Sequence, residues 1–300
     1  LAASPPRRGA ARPAASRLAP LLWLGPSLVL IAAVVLWPAV EMVRTSFLRI
    51  SSSGLTLGGA GAGNYRELFT SEALVPVLLR TLLWVGGVVG VTMLLALGLG
   101  QLLNARFPGR RVVRWAVIVP WAASVLMTAL IFRWMLDNDS GLVNRVLLDL
   151  GVLDAPVNWL AEPGWALFWM MTVAVFVSLP FASFVILAGL QAIPRDVYEA
   201  ARVDGAGWFT TYVRITLPML RPALIIASII NVINVFNSFP IIWAMTRGGP
   251  GNATDTTTTY MYKIAFVEQD VGQSAAMAVV NFGLVLVMVL LYLRVTREAR

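Results

Sequence analysis

The sequence has no cysteine and no histidine. That excludes disulfide staples, thiolate or imidazole metal ligands, and catalysis through a histidine base. Charge is scarce as well: 13% of the 300 residues are charged and 58% are hydrophobic. Soluble domains carry about a quarter charged residues, so this balance places the chain in a bilayer. No G-x-x-x-x-G-K-[ST] phosphate loop occurs, so the chain cannot bind and split ATP by that machinery. Lysine appears only as Lys263, and the other basic residues are arginines. The net charge of +8 would suit nucleic acid, but its distribution follows membrane topology, and no nucleic-acid partner is expected.

Long stretches without a charge run over residues 18–40, 81–105, 115–132, 163–194, 222–246 and 271–293. About 20 helical residues cross the roughly 30 Å hydrocarbon core, so each predicts one membrane span. The uncharged stretch 50–65 is rich in Ser and Gly and reads as loop. A signal peptide is the rival for the first span. Its apolar run is longer than a signal core, and Trp37-Pro38 follows instead of a small-residue cleavage site, so the helix is expected to be retained.

Arginine placement sets the orientation. With six spans and both termini cytoplasmic, the inner segments sum to +11 and the outer ones to −3. The positive-inside rule favours that arrangement. The expected organisation is an all-α protein with a cytoplasmic tail over 1–17, a six-span domain over 18–294, a cytoplasmic loop over 191–221, and a tail over 295–300. Gly86-Gly87-Val88-Val89-Gly90 offers a small-residue face for helix packing. Pro120, Pro180 and Pro240 fall inside spans and remove backbone donors there, as packing kinks or as bends around a path.

In the inner loop, Pro194 suits a helix first turn, with Arg195 to Val203 following. Glu199 can pair with Arg195 or Arg202 at helical spacing. Asp204-Gly205 supplies a turn, and a second helix from Ala206 to Leu217 is expected to end because Pro218 cannot continue it. The result is a helix–turn–helix at the inner membrane surface. Read without further context, it is an amphipathic interfacial connector.

The spacing Glu199-Ala200-Ala201, three residues, Gly205, nine residues, Ile215, one residue, Leu217-Pro218 resembles the EAA signature of bacterial ABC importer membrane subunits. Leu36-Trp37-Pro38, Ser46-Phe47, Gly63-Asn64-Tyr65, Thr246-Arg247-Gly248-Gly249-Pro250 and the segment from Tyr260 to Phe266 extend the likeness. They look like the carbohydrate-importing branch, which includes maltose and glycerol-3-phosphate permeases. The resemblance implies a type I importer fold in its shorter six-span form, in a bacterial cell membrane. It implies partners too: a second permease subunit of different sequence, two copies of an ATP-binding subunit carrying ATP and magnesium, and an extracytoplasmic solute-binding protein. No cofactor is expected in this chain. Glu199, Ala200, Ala201, Asp204, Gly205, Ile215, Leu217 and Pro218 would form the ATPase-coupling element, with Glu199 as a charged contact.

For the cargo path, Asn231, Asn234 and Ser238 share a helix face, and amides facing lipid would be costly. Hydrogen bonding between helices is the plain reading, whereas sugar hydroxyls also need both donors and acceptors. An ungapped match to sugar-contact positions of the maltose subunit falls on Ala174, Val177, Ser178, Phe181, Asn231, Val235 and Ser238. Ser178, Phe181, Asn231, Asn234 and Ser238 are therefore the path candidates, with Phe181 able to stack on a sugar. Several of the matched positions are apolar here, which argues against the same sugar. Ion-coupled secondary transport would need ionisable residues within the spans, and the six windows hold none. An anionic cargo such as glycerol 3-phosphate would favour arginine in the path, yet Arg80 and Arg133 sit only near outer ends.

Overall fold

The computed structural model describes residues 15–298, so most of the expected N-terminal tail and the last two residues lie outside the described part. Helix α1 (Ala15–Ile31) passes through a π turn (Ala32–Leu36) into α2 (Trp37–Thr45). A hairpin of β1 (Leu48–Ile50) and β2 (Thr56–Gly59), paired antiparallel, precedes α3 (Gly63–Thr70) and α4 (Leu74–Asn104). Then come α5 (Arg110–Ala122), α6 (Val125–Met135), α7 (Leu142–Asp149) and α8 (Pro163–Ala192). The inner loop forms α9 (Arg195–Val203), α10 (Trp208–Thr211), a second π turn (Tyr212–Thr216) and α11 (Leu217–Met219). The chain ends with α12 (Arg221–Phe236), α13 (Phe239–Met245), α14 (Thr257–Phe266) and α15 (Val271–Glu298).

Among the described residues, four helices are long and apolar enough to cross a membrane: Trp23–Thr45, Leu74–Asn104, Pro163–Ala192 and Val271–Arg294. The other two expected spans are broken. The stretch 115–132 divides between α5 and α6, which stop and restart around Ser124. The stretch 222–246 divides between α12 and α13 at Asn237 and Ser238, with Pro240 in the first turn of α13. Pro180, by contrast, sits inside an unbroken helix.

One proline behaves differently from expectation. Pro218 does not end the inner helix, which runs on to Met219 and then bends by 64° into α12. A proline leaves the carbonyl four residues back without its donor. Both π turns lie just before an X-Pro pair, where the bonding reaches one residue further back: Trp37 N–H donates to the Ala32 carbonyl, and Leu217 N–H to that of Tyr212. Helical bonding thereby continues past Pro38 and Pro218.

The core is a three-way packing of α4, α8 and α12, with α5, α6 and α13 against α8, and α15 across α12. Trp84, Val88, Met170, Val173, Val235 and Ile242 belong to one buried cluster, and Ala96, Ala182, Ile186 and Leu220 to a second. The close approaches are not made by the expected Gly86 and Gly90, which have open space where a Cβ would stand. They come at Gly87, against Met171, at Gly100, against Ile186, and at Gly189, against Ala223 and Leu220. With lipid on the outside, van der Waals fit of this kind holds such helices together. Along Trp23–Thr45 no residue of the apolar window is buried within this chain.

Buried amides order the outer segments. Asn64 Nδ2 donates to the carbonyls of Ser46 (2.8 Å) and Leu48 (3.0 Å), and Tyr65 shares a hydroxyl hydrogen bond with Ser46 (2.7 Å). The motifs Ser46-Phe47 and Asn64-Tyr65 thus meet across the hairpin, which the sequence reading left as loop. Asn144 likewise ties α7 to Val157 and Trp159.

Candidate functional site

The two helix breaks open onto one cavity of about 500 Å³. Trp121 and Ala123 line it from the first break, Val177, Ser178 and Phe181 from α8, and Asn231 and Asn234 from α12. Asn237, Ser238, Pro240 and Ile241 close it from the second break and α13. Irregular backbone is tolerated at membrane depth where protein or a polar cavity satisfies it. All five expected path residues, Ser178, Phe181, Asn231, Asn234 and Ser238, share this wall. Ala174 and Val235, which were matched by position alone, are instead buried in the core at 1% and 2% exposure.

Among the described residues, no ionisable side chain lines the cavity. It offers three amides, two hydroxyls and two aromatic rings, a donor and acceptor set suited to a neutral polar molecule. Asn231 is 3% exposed, and its Nδ2 has no hydrogen-bond partner among the described residues. A buried unpaired amide costs free energy unless a ligand or water completes it. Ser238 is more committed. Its hydroxyl donates to the Val235 carbonyl (2.6 Å) and accepts from Trp84 Nε1 (2.9 Å), leaving one lone pair. Trp121 and Asn237 were not among the expected residues. Asn237 stands three residues after Asn234 and could have been read from the same spacing, whereas Trp121 gave no such signal.

Arg80 and Arg133, expected near outer ends, are engaged elsewhere. Arg133 donates to the Ala244 carbonyl at the end of α13 (3.0 Å), and Arg80 to the carbonyls of Asn252 and Asp255. Arg80 also explains why α4 begins earlier than the charge-free window: its head group bonds the outer loop while its stem stays in the helix. That loop carries the Thr246–Pro250 motif. Lys263 Nζ reaches Asp255 Oδ2 at 2.6 Å and Asn252 Oδ1 at 2.7 Å, and Asp255 is 1% exposed. Burial raises the Asp255 carboxyl above its ordinary range, opposed by the Lys263 ammonium. Gly248, at φ +82°, lies directly against that carboxylate, where a Cβ would overlap it.

At the other end of the molecule, α9 runs over the expected residues, with Pro194 capping its start and Gly205 at φ +71° after it. Ala201 is buried at 4% exposure, while Glu199, Ala200, Asp204, Gly205 and Pro218 are exposed and Ile215 and Leu217 half-buried. The expected pairing of Glu199 with Arg195 or Arg202 is not formed. Ion pairs do form elsewhere, at Arg44–Glu41 and at Lys263–Asp255. An exposed pair gains only about 0–1 kcal/mol, too little to fix both side chains. Glu199, Arg195, Arg202, Tyr198, Arg106 and Arg110 instead line an open hollow of about 670 Å³ below α4 and α8. Beside it Val203, Trp208 and Phe209 stand 88%, 78% and 70% exposed, an apolar patch the sequence reading did not single out.

Known proteins share this arrangement. Residues 89–300 match the family described as binding-protein-dependent transport system inner membrane component. A probable ABC transporter permease of Brucella suis is 37% identical, over 95% of this chain and 98% of its own. A trehalose/maltose transport system permease of Thermococcus litoralis is 40% identical over 71% of each chain. A bacterial alginate ABC transporter, crystallised in complex with an alginate pentasaccharide-bound periplasmic protein, superposes with a TM-score of 0.79 at 24% identity, over 95% of this chain and 96% of its own. At that identity the superposition speaks for the fold. Family match, relatives and fold agree: this chain belongs to the binding-protein-dependent transport system inner membrane components, the multi-pass permease subunits of ABC importers.

Proposed function

We propose that this permease moves a neutral sugar or oligosaccharide through the cavity between α8 and α12. The observation that carries the reading is the wall itself, where amides, hydroxyls and aromatic rings converge without a single charge. Sugars present hydroxyls in fixed directions and apolar ring faces, which such a wall can meet with Asn231, Asn234 and Phe181. A trehalose/maltose permease among the relatives supports the same class of cargo. The engagement of Arg80 and Arg133 with backbone carbonyls argues against a phosphate ester.

In this reading the chain crosses the membrane six times, counting α5 with α6 and α12 with α13 as one broken span each, with both ends cytoplasmic. Such discontinuous helices at a substrate site are a recurrent transporter device. The loop over 191–221 is the coupling element. Glu199, Ala200, Asp204 and Gly205 face an ATP-binding subunit, Ala201 packs inward, and Ile215, Leu217 and Pro218 carry the displacement into α12. ATP and magnesium sit on two copies of that subunit, a second permease of different sequence completes the path, and a solute-binding protein delivers cargo outside. ATP shifts the equilibrium by binding one facing state more tightly than the other.

The test is uptake of labelled trehalose, maltose and glycerol 3-phosphate by cells carrying the complete transporter. Each polar or stacking contact is worth about 1–2 kcal/mol, so Asn231→Ala and Phe181→Ala should each cut sugar uptake at limiting cargo by about tenfold. Uptake of glycerol 3-phosphate alone would replace the neutral cargo with an anionic one. Cargo uptake indifferent to both substitutions would remove the cavity from the path.

A further inference from the structure

The second break leaves helix carbonyls without partners, since the last four of any α-helix have no intrahelical donor. At the end of α12 two of these groups, the Ile233 and Val235 carbonyls, are satisfied. Asn237 closes on itself, with its N–H (3.2 Å) and its Nδ2 (2.9 Å) both donating to the Ile233 carbonyl. The Val235 carbonyl takes the Ser238 N–H (3.2 Å), the Ser238 hydroxyl (2.6 Å) and, from another helix, Trp84 Nε1 (3.0 Å). The same indole N–H reaches the Ser238 hydroxyl at 2.9 Å. One donor from α4 thus holds the last turn of α12 and the second residue beyond it, Ser238, together.

Trp84 is 1% exposed and does not line the cavity, and neither does any other residue of α4. A buried indole usually finds a partner for its N–H. Here the partner is the backbone at the interruption that shapes the cavity wall. Asn231 stands one turn before Val235, and Asn237 and Ser238 follow it, so the break sets where three wall residues point. We propose that Trp84 is a positioning residue for the cargo cavity, pinning the α12–α13 break so that Asn231 stays buried with its amide toward the cavity. The significance of this role rests on the cavity being the cargo path; the geometric claim does not.

The absence of native cysteine makes a direct test possible, because any cysteine introduced is the only thiol in the chain. In membranes containing the complete transporter, N-ethylmaleimide labelling of Asn231→Cys is compared with and without Trp84→Phe, which keeps an aromatic ring and removes the N–H. Thr92→Cys, two turns further along α4 at 0% exposure, reports general loosening of the core. Losing a bridging hydrogen bond makes local opening easier, so labelling at 231 should rise about tenfold while labelling at 92 stays slow. Unchanged labelling at 231 overturns the proposal. Faster labelling at both sites also overturns it, because Trp84 would then be core packing only. Should Trp84→Phe fail to accumulate in the membrane, Ser238→Ala removes the second acceptor and is read in the same assay with the same outcomes. Labelling reports geometry whatever the cargo is, so failure here is distinguishable from failure of the cavity reading, which the uptake of Asn231→Ala decides.

Discussion

Replacing Glu199 with alanine is expected to reduce cargo uptake at least tenfold while the chain accumulates in the membrane at its normal level. The two halves of that result have separate causes. Glu199 is exposed and makes no ion pair among the described residues, so the fold loses little: surface changes of this kind usually stay within about 0.5 kcal/mol. A carboxylate meeting a charged or polar partner across an interface is a different matter, where truncation costs about 2–5 kcal/mol. That range corresponds to a thirtyfold or greater loss of docking affinity. Immunoblotting of membranes and co-purification of the ATP-binding subunit separate the two effects. Glu199→Gln should recover part of the loss if hydrogen bonding matters as well as charge. Unchanged uptake and unchanged ATPase stimulation would mean that Glu199 is not the contact.

The second large effect belongs to Gly248 and concerns stability. Alanine there must hold a left-handed backbone and also place a methyl group inside the Asp255 carboxylate. Strain at such a φ costs about 1–3 kcal/mol. Displacing Asp255 breaks a buried ion pair with Lys263, which typically costs about 3–5 kcal/mol. Stabilities of folded chains are only about 5–15 kcal/mol, so Gly248→Ala should leave little folded permease, read as loss of the monodisperse peak in detergent. Lys263→Met should be milder, and Lys263→Met with Asp255→Asn milder still, because the second change removes the unpaired charge. The pH dependence follows from the raised Asp255 carboxyl. The folded chain binds that proton more readily than the unfolded chain, so this contribution to stability falls as pH rises above the ordinary carboxylate range. Removing Lys263 takes away the opposing pull, so Lys263→Met should melt higher at acid pH than at neutral pH.

Much of this architecture is legible in the sequence because its causes are local. Arg195 to Val203 was readable as a helix from Pro194 at one end and Asp204-Gly205 at the other, and α9 has those bounds. The windows over 163–194 and 271–293 are single long helices whose starts coincide with those of the charge-free stretches. What stayed hidden depends on partners distant in sequence. A charge-free window does not distinguish one helix from two, so the breaks near Ser124 and Asn237 were invisible except as the hint of Pro240. Pro218 looked like a terminator because its local chemistry is that of a helix breaker, and the π turn that carries the helix past it has no sequence mark. Asn231, Asn234 and Ser238 could be grouped by helical spacing, but not the indole of Trp84, 154 residues before Ser238, that occupies the Ser238 hydroxyl. The amides signalled a polar face, while which of them are spent on the fold and which stay open is decided in three dimensions.

In the proposed mechanism, cargo passes through the cavity between α8 and α12 as a separate ATPase alternates its exposure. A cysteine at Asn234, exposed in the cavity wall and unique in this chain, measures that directly. The complete transporter is reconstituted in vesicles, and a membrane-impermeant thiol reagent is applied from one side at a time, without nucleotide and with ATP trapped by vanadate. The accessible side should switch between the two conditions, and Glu199→Ala should abolish the switch. Labelling from the same side in both conditions would contradict this mechanism.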